Sequence, residues 1–356
     1  MMTYKELSYN HFYDSKKFVP LSELADVVSG IFLRSGEVFV LENFEKTADA
    51  SLGFSKRIHQ EVRVEPDISM PLLQQNANIA YLNPKEVKTT KGVVFIESKQ
   101  YSRTTQRPLQ HFVTEHPLLS DYVTRCGLSM DKEDGKGYPL VFNVLSSKQS
   151  EHLFSPKHIL SVKEDNSQSF FDDKGSYAIQ TGMYGVSAIC SNVISNKVLT
   201  AIFNSHLFGF IRFQEEKADE DNRQARYESI ARFPIPAHSI GYNQIKALEL
   251  LSECLISMNG RELDSLDIQV EKCLRQIVEM IVFELYFGEY MLEKGLSVSG
   301  ALSDAVFADC VYNIFSKPLE IYNWFQTSAN IIRQKIMLLD SRSPELLYPI
   351  FMQYYK

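Results

Sequence analysis

Two stretches of this sequence hold side chains whose types and spacing could do chemistry. From Lys88 to Arg107 the chain reads KTTKGVVFIESKQYSRTTQR, in which Lys88, Lys91, Lys99, Arg103 and Arg107 face a single acid, Glu97. Tyr101 and several Ser, Thr and Gln residues are interleaved with them. Phosphates take cations and short polar donors, and base edges take Arg, Gln and Asn, so the mixture suits a loop laid against a nucleic-acid duplex. A solvated strand and loop would have the same composition. The second pattern is Pro66-Asp67 followed by Glu97-Ser98-Lys99. In that order two carboxylates, Asp67 and Glu97, could hold a divalent metal while Lys99 assists the attacking water, as in PD-ExK nucleases. The alternative is that Glu97 and Lys99 are alternate-face residues at an ordinary strand end.

Absent motifs narrow the chemistry. There is no GxxxxGK phosphate loop, no GxGxxG, no GxSxG and no CxxC, which removes support for nucleotide hydrolysis, dinucleotide redox, esterase and zinc chemistry. Nor is there an NPPY or DPPY tetrapeptide; Asn83-Pro84-Lys85-Glu86 is only superficially close. His111, His116, His152 and His158 lie at no metal-ligand spacing on a convincing helix. Cys126, Cys190, Cys254, Cys273 and Cys310 are odd in number and widely spaced, so reduced, buried thiols are expected rather than a disulfide framework.

The elements that must position these residues change character along the chain. Val19 to Gly30 has Leu21, Leu24, Ala25 and Val28 at helical spacing between Pro20 and Gly30, predicting a short amphipathic helix. Glu37 to Leu41, Arg63 to Ile68, Ala80 to Leu82 and Lys91 to Ile96 read as strands, with a polar loop from Asn43 to Ser55. Tyr138 to Ser161 holds two apolar runs, the second opened by Ser155-Pro156-Lys157. Ser176 to Val193 includes a turn at Gly182 to Gly185, and Val198 to Phe213 suits helix. Phe233-Pro234-Ile235-Pro236 forbids helix and permits an edge strand or an extended exit. Beyond it, Gln244 to Met258 and the stripe Leu266, Val270, Leu274, Ile277, Ile281 and Leu285, with Glu on its other face, predict an antiparallel helical hairpin. Ala301 to Phe315 and Leu319 to Leu339 continue as helical stripes, the latter entered through Pro318, and the aromatic Tyr348 to Tyr355 should be docked. An α+β fold follows, mixed strands and helices over residues 1–238 and helices over 239–356.

Composition agrees with two globular domains, since 44% of the 356 residues are apolar. No run approaches the ~18 apolar residues of a membrane span and no signal peptide opens the sequence, so a cytoplasmic protein is expected. A net charge of −7 argues against holding nucleic acid by bulk electrostatics, but the charge is uneven. Residues 51–150 carry 13 Lys+Arg against 10 Asp+Glu, or +3, and residues 241–356 carry 10 against 15, or −5. Any DNA would therefore meet the first domain.

With these residues in view the chain resembles the target-recognition region of restriction-modification systems, as in type I specificity subunits and the C-terminal part of type IIG adenine-N6 methyltransferases. Five features carry the resemblance in order: Val19 to Gly30 as the opening segment, Pro156-Lys157-His158-Ile159-Leu160 as an internal strand, Ile202-Phe203-Asn204-Ser205-His206-Leu207 as a helix with Asn-Ser, Arg232 to Pro236 as the exit, and the helix from Gln244 as the spacer. The resemblance implies a specificity subunit without catalytic residues or a metal of its own. Double-stranded DNA would be one partner. A separate methyltransferase, with or without a restriction subunit, would dock on the helical region and carry S-adenosylmethionine. Lys99, Tyr101, Arg103 and Arg107, with Arg125, Lys157, Arg223 and Arg226, would then touch DNA. A pure protein-interaction adaptor in a defence system is the alternative that suits the net charge.

Overall fold

The computed structural model describes residues 17–33, 36–74, 78–87, 89–97, 115–127, 144–163, 166–189, 194–218, 224–259, 262–308 and 313–353. Sheets occupy the first part of the chain and helices dominate from Asn196 onward, an α+β arrangement. A six-stranded sheet runs in the order Ala178–Ile179, Ser69–Leu73, Lys91–Val94, Val40–Lys46, Ser51–Ser55, Gln60–Val64. Its first pair is parallel and the others antiparallel. A four-stranded antiparallel sheet runs Asn166–Asp172, Lys157–Lys163, Met183–Ser187, Val27–Ser29.

The four-stranded sheet and the inner strand Lys91–Val94 of the six-stranded sheet are filled on two faces, whereas Gln60–Val64 at its edge alternates exposed and buried residues. Leu160 and Val162 enter the largest core, whereas Ile159 joins Phe170, Tyr177 and Met183 on the opposite side. Val94 and Val93 likewise belong to different clusters, one covered by the helix Pro117–Arg125 through Leu119, Tyr122 and Val123. A strand filled on both faces reads as a continuous apolar run, which is why Lys91 to Val94 and His158 to Leu160 were legible.

Several local expectations change. Val19 to Gly30 is helical only over Leu21–Leu24; Val27–Ser29 is a strand, held where Asp26 N donates to Ser187 Oγ at 2.8 Å and Ser187 N donates to Asp26 O at 2.9 Å. Sheet pairing overrides helical spacing where β-branched Val27 and Val28 are available. Gly30 follows because a Cβ there would lie 2.2 Å from Gln180 O. Gly36–Phe39 is helix, and the expected loop from Asn43 to Ser55 holds most of Val40–Lys46 and all of Ser51–Ser55. Ala80 to Leu82 is a turn, with Tyr81 at φ +52°.

The exit prolines behave as expected. Pro234–Ile235 pairs antiparallel with Val19–Pro20, in register Val19↔Ile235 and Pro20↔Pro234. Tyr286 donates its hydroxyl to Pro234 O at 2.9 Å from the long helix beyond. Tyr242–Met258 and Ser265–Glu293 pack on each other as the hairpin. Leu248, Leu251, Leu255 and Met258 are buried, as are Val270, Leu274, Ile277, Ile281 and Leu285; Leu266 is exposed. Asp264 caps the second helix by accepting from Leu266 N and Asp267 N, both at 2.8 Å. The main core continues across the proposed 238/239 boundary, with Phe233, Ile235 and Ala237 before it and Ala247 and Leu248 after it in one cluster.

Two glutamates of that helix depart from the expected solvated face. Glu284 is buried and accepts from Val298 N at 3.1 Å, and Glu279 is buried and accepts from His206 N at 2.7 Å. Each satisfies a backbone donor of a neighbouring segment. The stripe from Leu319 to Leu339 is broken: Lys317–Gln326, with Pro318 in its first turn, ends at extended Thr327, and Asn330 caps Ile331–Met337. Leu347–Met352 is docked, with Ile350 and Phe351 buried. No helix among the described residues is long and apolar enough to cross a membrane.

Candidate nucleic-acid interface

Lys99, Tyr101, Arg103, Arg107 and Arg223 lie outside the described residues. Glu97 is described in its backbone only, in the strand Ile96–Glu97, which pairs parallel with Val144–Leu145. Arg125, Lys157 and Arg226 are the expected contacts that fall among the described residues.

Arg125 ends the helix Pro117–Arg125, which Glu65 starts by accepting from Leu118 N at 2.6 Å and Leu119 N at 3.0 Å. A carboxylate at that end suits the helix dipole. Arg125 donates to Gln60 Oε1 at 2.5 Å and lies 3.5 Å from Asp121 Oδ2, its side chain 37% exposed. Gln60–Val64 is the outer strand of the six-stranded sheet, and the hairpin before it carries Arg57. Burial pushes the Cys126 thiol up, against the hydrogen bond of Tyr122 and the positive charges of Arg57 and Arg125. Arg57 and Arg125 thus gather around one buried thiol, with Arg63 exposed on the edge strand itself. Sequence inspection passed over Arg57 and Arg63. Arg57 sits more than 60 positions from Arg125, and only the packing of the helix on the edge strand brings both to Cys126, while Arg63 alternates with the buried Val62 and Val64 and lies on the other face of that strand.

Arg226 belongs to a different surface. Its helix, Ala225–Ala231, packs on His206–Ala218 and on the strand Val27–Ser29. Arg226 Nε donates to Glu216 Oε1 at 3.0 Å, and the same carboxylate takes the buried Arg212. Two guanidiniums on one carboxylate leave a positive excess beside Tyr184, whose hydroxyl burial holds in its protonated form.

Lys157 is a correction. It is fully buried, its Nζ donating to Asp172 Oδ2 at 3.1 Å and Leu153 O at 2.7 Å, so it holds the sheet together and presents no charge to a duplex. Its position after Pro156 on a central strand decides this, since every residue of that strand but Lys163 is buried.

Of the metal-nuclease pattern only Asp67 has a described side chain; Lys99 and the side chain of Glu97 lie outside the described residues. Asp67 sits on the turn Pro66–Ile68, exposed, with Oδ2 3.2 Å from His116 Nε2. No group of three or more His, Cys, Asp or Glu residues that could hold a metal ion occurs among the described residues.

The remaining motif residues act as joints. Asn204 closes the helix Asn196–Phe203 and takes both backbone groups of Ser169 on the outer strand of the four-stranded sheet: Oδ1 accepts from Ser169 N and Nδ2 donates to Ser169 O, each at 2.8 Å. Ser205 Oγ then accepts from Phe208 N at 3.1 Å, starting His206–Ala218. Asn204→Ala would orphan Ser169 N, while Ser169 O keeps Tyr81 N at 2.9 Å, and should cost about 1–3 kcal/mol, read as a lowered unfolding midpoint in urea. A midpoint equal to wild type would show that water replaces the amide.

No protein-family model matches the chain, and no curated protein matches it. Among solved structures the chain is similar to the Type IIL restriction-modification enzyme MmeI, solved in complex with DNA, with a TM-score of 0.41 and 8% sequence identity. The match covers 86% of this chain and 36% of that one, so this chain spans little more than a third of the enzyme's length.

Proposed function

We propose that this protein is a DNA target-recognition subunit of a restriction-modification system that positions duplex for a separate adenine-N6 methyltransferase. The observation that carries the reading is the ladder between Val19–Pro20 and Pro234–Ile235. The opening and exit segments of the resemblance meet there, and the helical hairpin follows from that point in the chain. An enzyme acting on adenine must take the base out of the stack, which requires the neighbouring base pairs to be gripped by another surface. The basic stretch from Lys99 to Arg107, with Arg57 and Arg125, would supply the grip. The acidic hairpin, whose charge repels phosphate, would dock the catalytic chain, which would bring S-adenosylmethionine.

The test is a gel-shift titration on random duplex at low salt, alone and with the methyltransferase chain. Binding should weaken as salt rises. Arg103→Ala or Arg107→Ala should cost about 1–3 kcal/mol on a preferred sequence if the residue reads a base, or flatten the salt slope if it holds a phosphate. Absence of salt-dependent binding, alone and with that chain, would retire this function in favour of the adaptor.

A further inference from the structure

Between the turn at Tyr81, the outer strand at Ser167 and Gln168, and the long helix from Glu271 to Glu279 lies a cleft of about 380 Å³. We propose that it binds an ammonium or guanidinium group. The inference is separate from the reading of DNA, since none of the residues assigned to duplex lines it.

Glu279 lines the cleft with a side chain only 4% exposed. Its Oε1 accepts from His206 N at 2.7 Å and lies 3.2 Å from His206 Nδ1, while Oε2 has no hydrogen-bond partner. Ser167, also lining it and buried, has an Oγ without a partner. Two buried acceptors at one cleft therefore lack a donor, and one of them is on a carboxylate. A buried polar atom left unpaired is costly, most of all on an ionised group. His206 Nδ1, which itself makes no hydrogen bond, faces Oε1 at 3.2 Å and leaves Oε2 still without a donor.

The nearby guanidinium does not fill that role. Arg275 Nε and Nη2 both donate to Glu271 Oε1, at 2.9 and 2.6 Å, and its Cζ lies 5.0 Å from the centroid of the Tyr81 ring. The Arg275–Glu271 pair cancels on the wall, and Lys272 stands exposed at the rim. A positively charged N–H donor would satisfy Oε2 in hydrogen bonding and in charge together, and a charge-assisted bond of this kind exceeds a neutral one. The volume accommodates a basic side chain. Such a group could arrive on a polypeptide or as a free polyamine, and the probes separate the two.

The full chain is titrated calorimetrically with Nα-acetyl-arginine amide, Nα-acetyl-lysine amide and spermidine, with Nα-acetyl-citrulline amide as the uncharged control. At least one cation should bind with a Kd near or below about 1 mM, and citrulline at least about tenfold more weakly. Tighter binding of the amides identifies a polypeptide side chain as the source; tighter binding of spermidine identifies the free amine. Glu279→Gln keeps an acceptor for His206 N and should lose at least about tenfold in cation affinity. Ser167→Val removes an unpartnered hydroxyl, so it should fold with an unchanged melting midpoint and still bind more weakly, which keeps the test valid if the glutamine variant fails to fold. Citrulline binding equal to the cations, undiminished affinity in the folded variants, or no cation bound at 10-fold above that Kd would overturn the proposal.

Discussion

Lys157→Met should destabilise the protein by about 3–5 kcal/mol and leave the salt dependence of duplex binding as in wild type. The substitution puts an unbranched apolar side chain of similar length in place of the lysine stem and removes the ammonium. Asp172 then loses the Nζ partner at 3.1 Å, and Leu153 O loses a donor at 2.7 Å. The carboxylate retains Ser176 N at 3.0 Å and Tyr177 N at 3.1 Å, too little to compensate a full charge out of reach of water. Burial already holds the Lys157 amine below its ordinary value, with Asp172 opposing that shift. Neutralising the acid in the same chain, Lys157→Met with Asp172→Asn, should recover part of the loss, because the uncompensated charge is what costs most. Urea denaturation of the two variants checks both claims. A single variant as stable as wild type but with a shallower salt slope would restore Lys157 as a phosphate contact.

Acid should unfold this protein through two imidazoles. His158 is fully buried between the Phe171 and Phe203 rings, at centroid distances of 4.9 and 5.3 Å, with Nε2 3.1 Å from Asn196 Oδ1. Burial holds it down to about 4, opposed by Asn196. His152 is held to about 4 as well, by burial first and then by the charge of Lys157. Both folded values lie below the ~6.5 of an unfolded histidine. The unfolded chain therefore binds protons in this window that the native state refuses, and stability rises with pH. The contribution is complete above pH ~6.5 and is lost as the pH falls towards 4. By that linkage each histidine costs about 2 kcal/mol at pH 5, so the pair removes about 4 kcal/mol from a stability that for domains is of order 5–15. Urea midpoints at pH 7.5, 6 and 5 should fall in step. His158→Phe, which fits among the same rings, should remove about half of the dependence. A midpoint constant from pH 7.5 to 5 would mean that both rings protonate in place.

The helical hairpin shows how far sequence periodicity reaches. Its two stripes were visible because burial of one helix face repeats every three to four residues, and the structure buries them with only Leu266 left out. The exit prolines were equally legible, since a fixed φ and a missing N–H leave few conformations. Val19 to Gly30 and Asn43 to Ser55 were not, because Val27–Ser29 pairs with residues 184–186, Glu45 and Lys46 pair with Leu52 and Ser51, and Ser51–Ser55 pairs with Gln60–Val64. For the same reason Lys157 looked like a surface cation and Glu279 like a solvated acid. Nothing within ten residues of either identifies the carboxylate at 172 or the backbone N–H at 206 that each one meets.

Sequence alone determined the α+β class, the extended proline exit and the hairpin behind it, because backbone restriction and hydrophobic period are local properties. Tertiary structure decided which charges remain available to a ligand. It sealed Lys157 inside a sheet, set Arg57 and Arg125 around Cys126, and left one oxygen of Glu279 without a donor beside a cleft. Whether a charge is exposed, paired or orphaned depends on groups brought near it across the fold, and the residue types beside it in the chain carry no record of them.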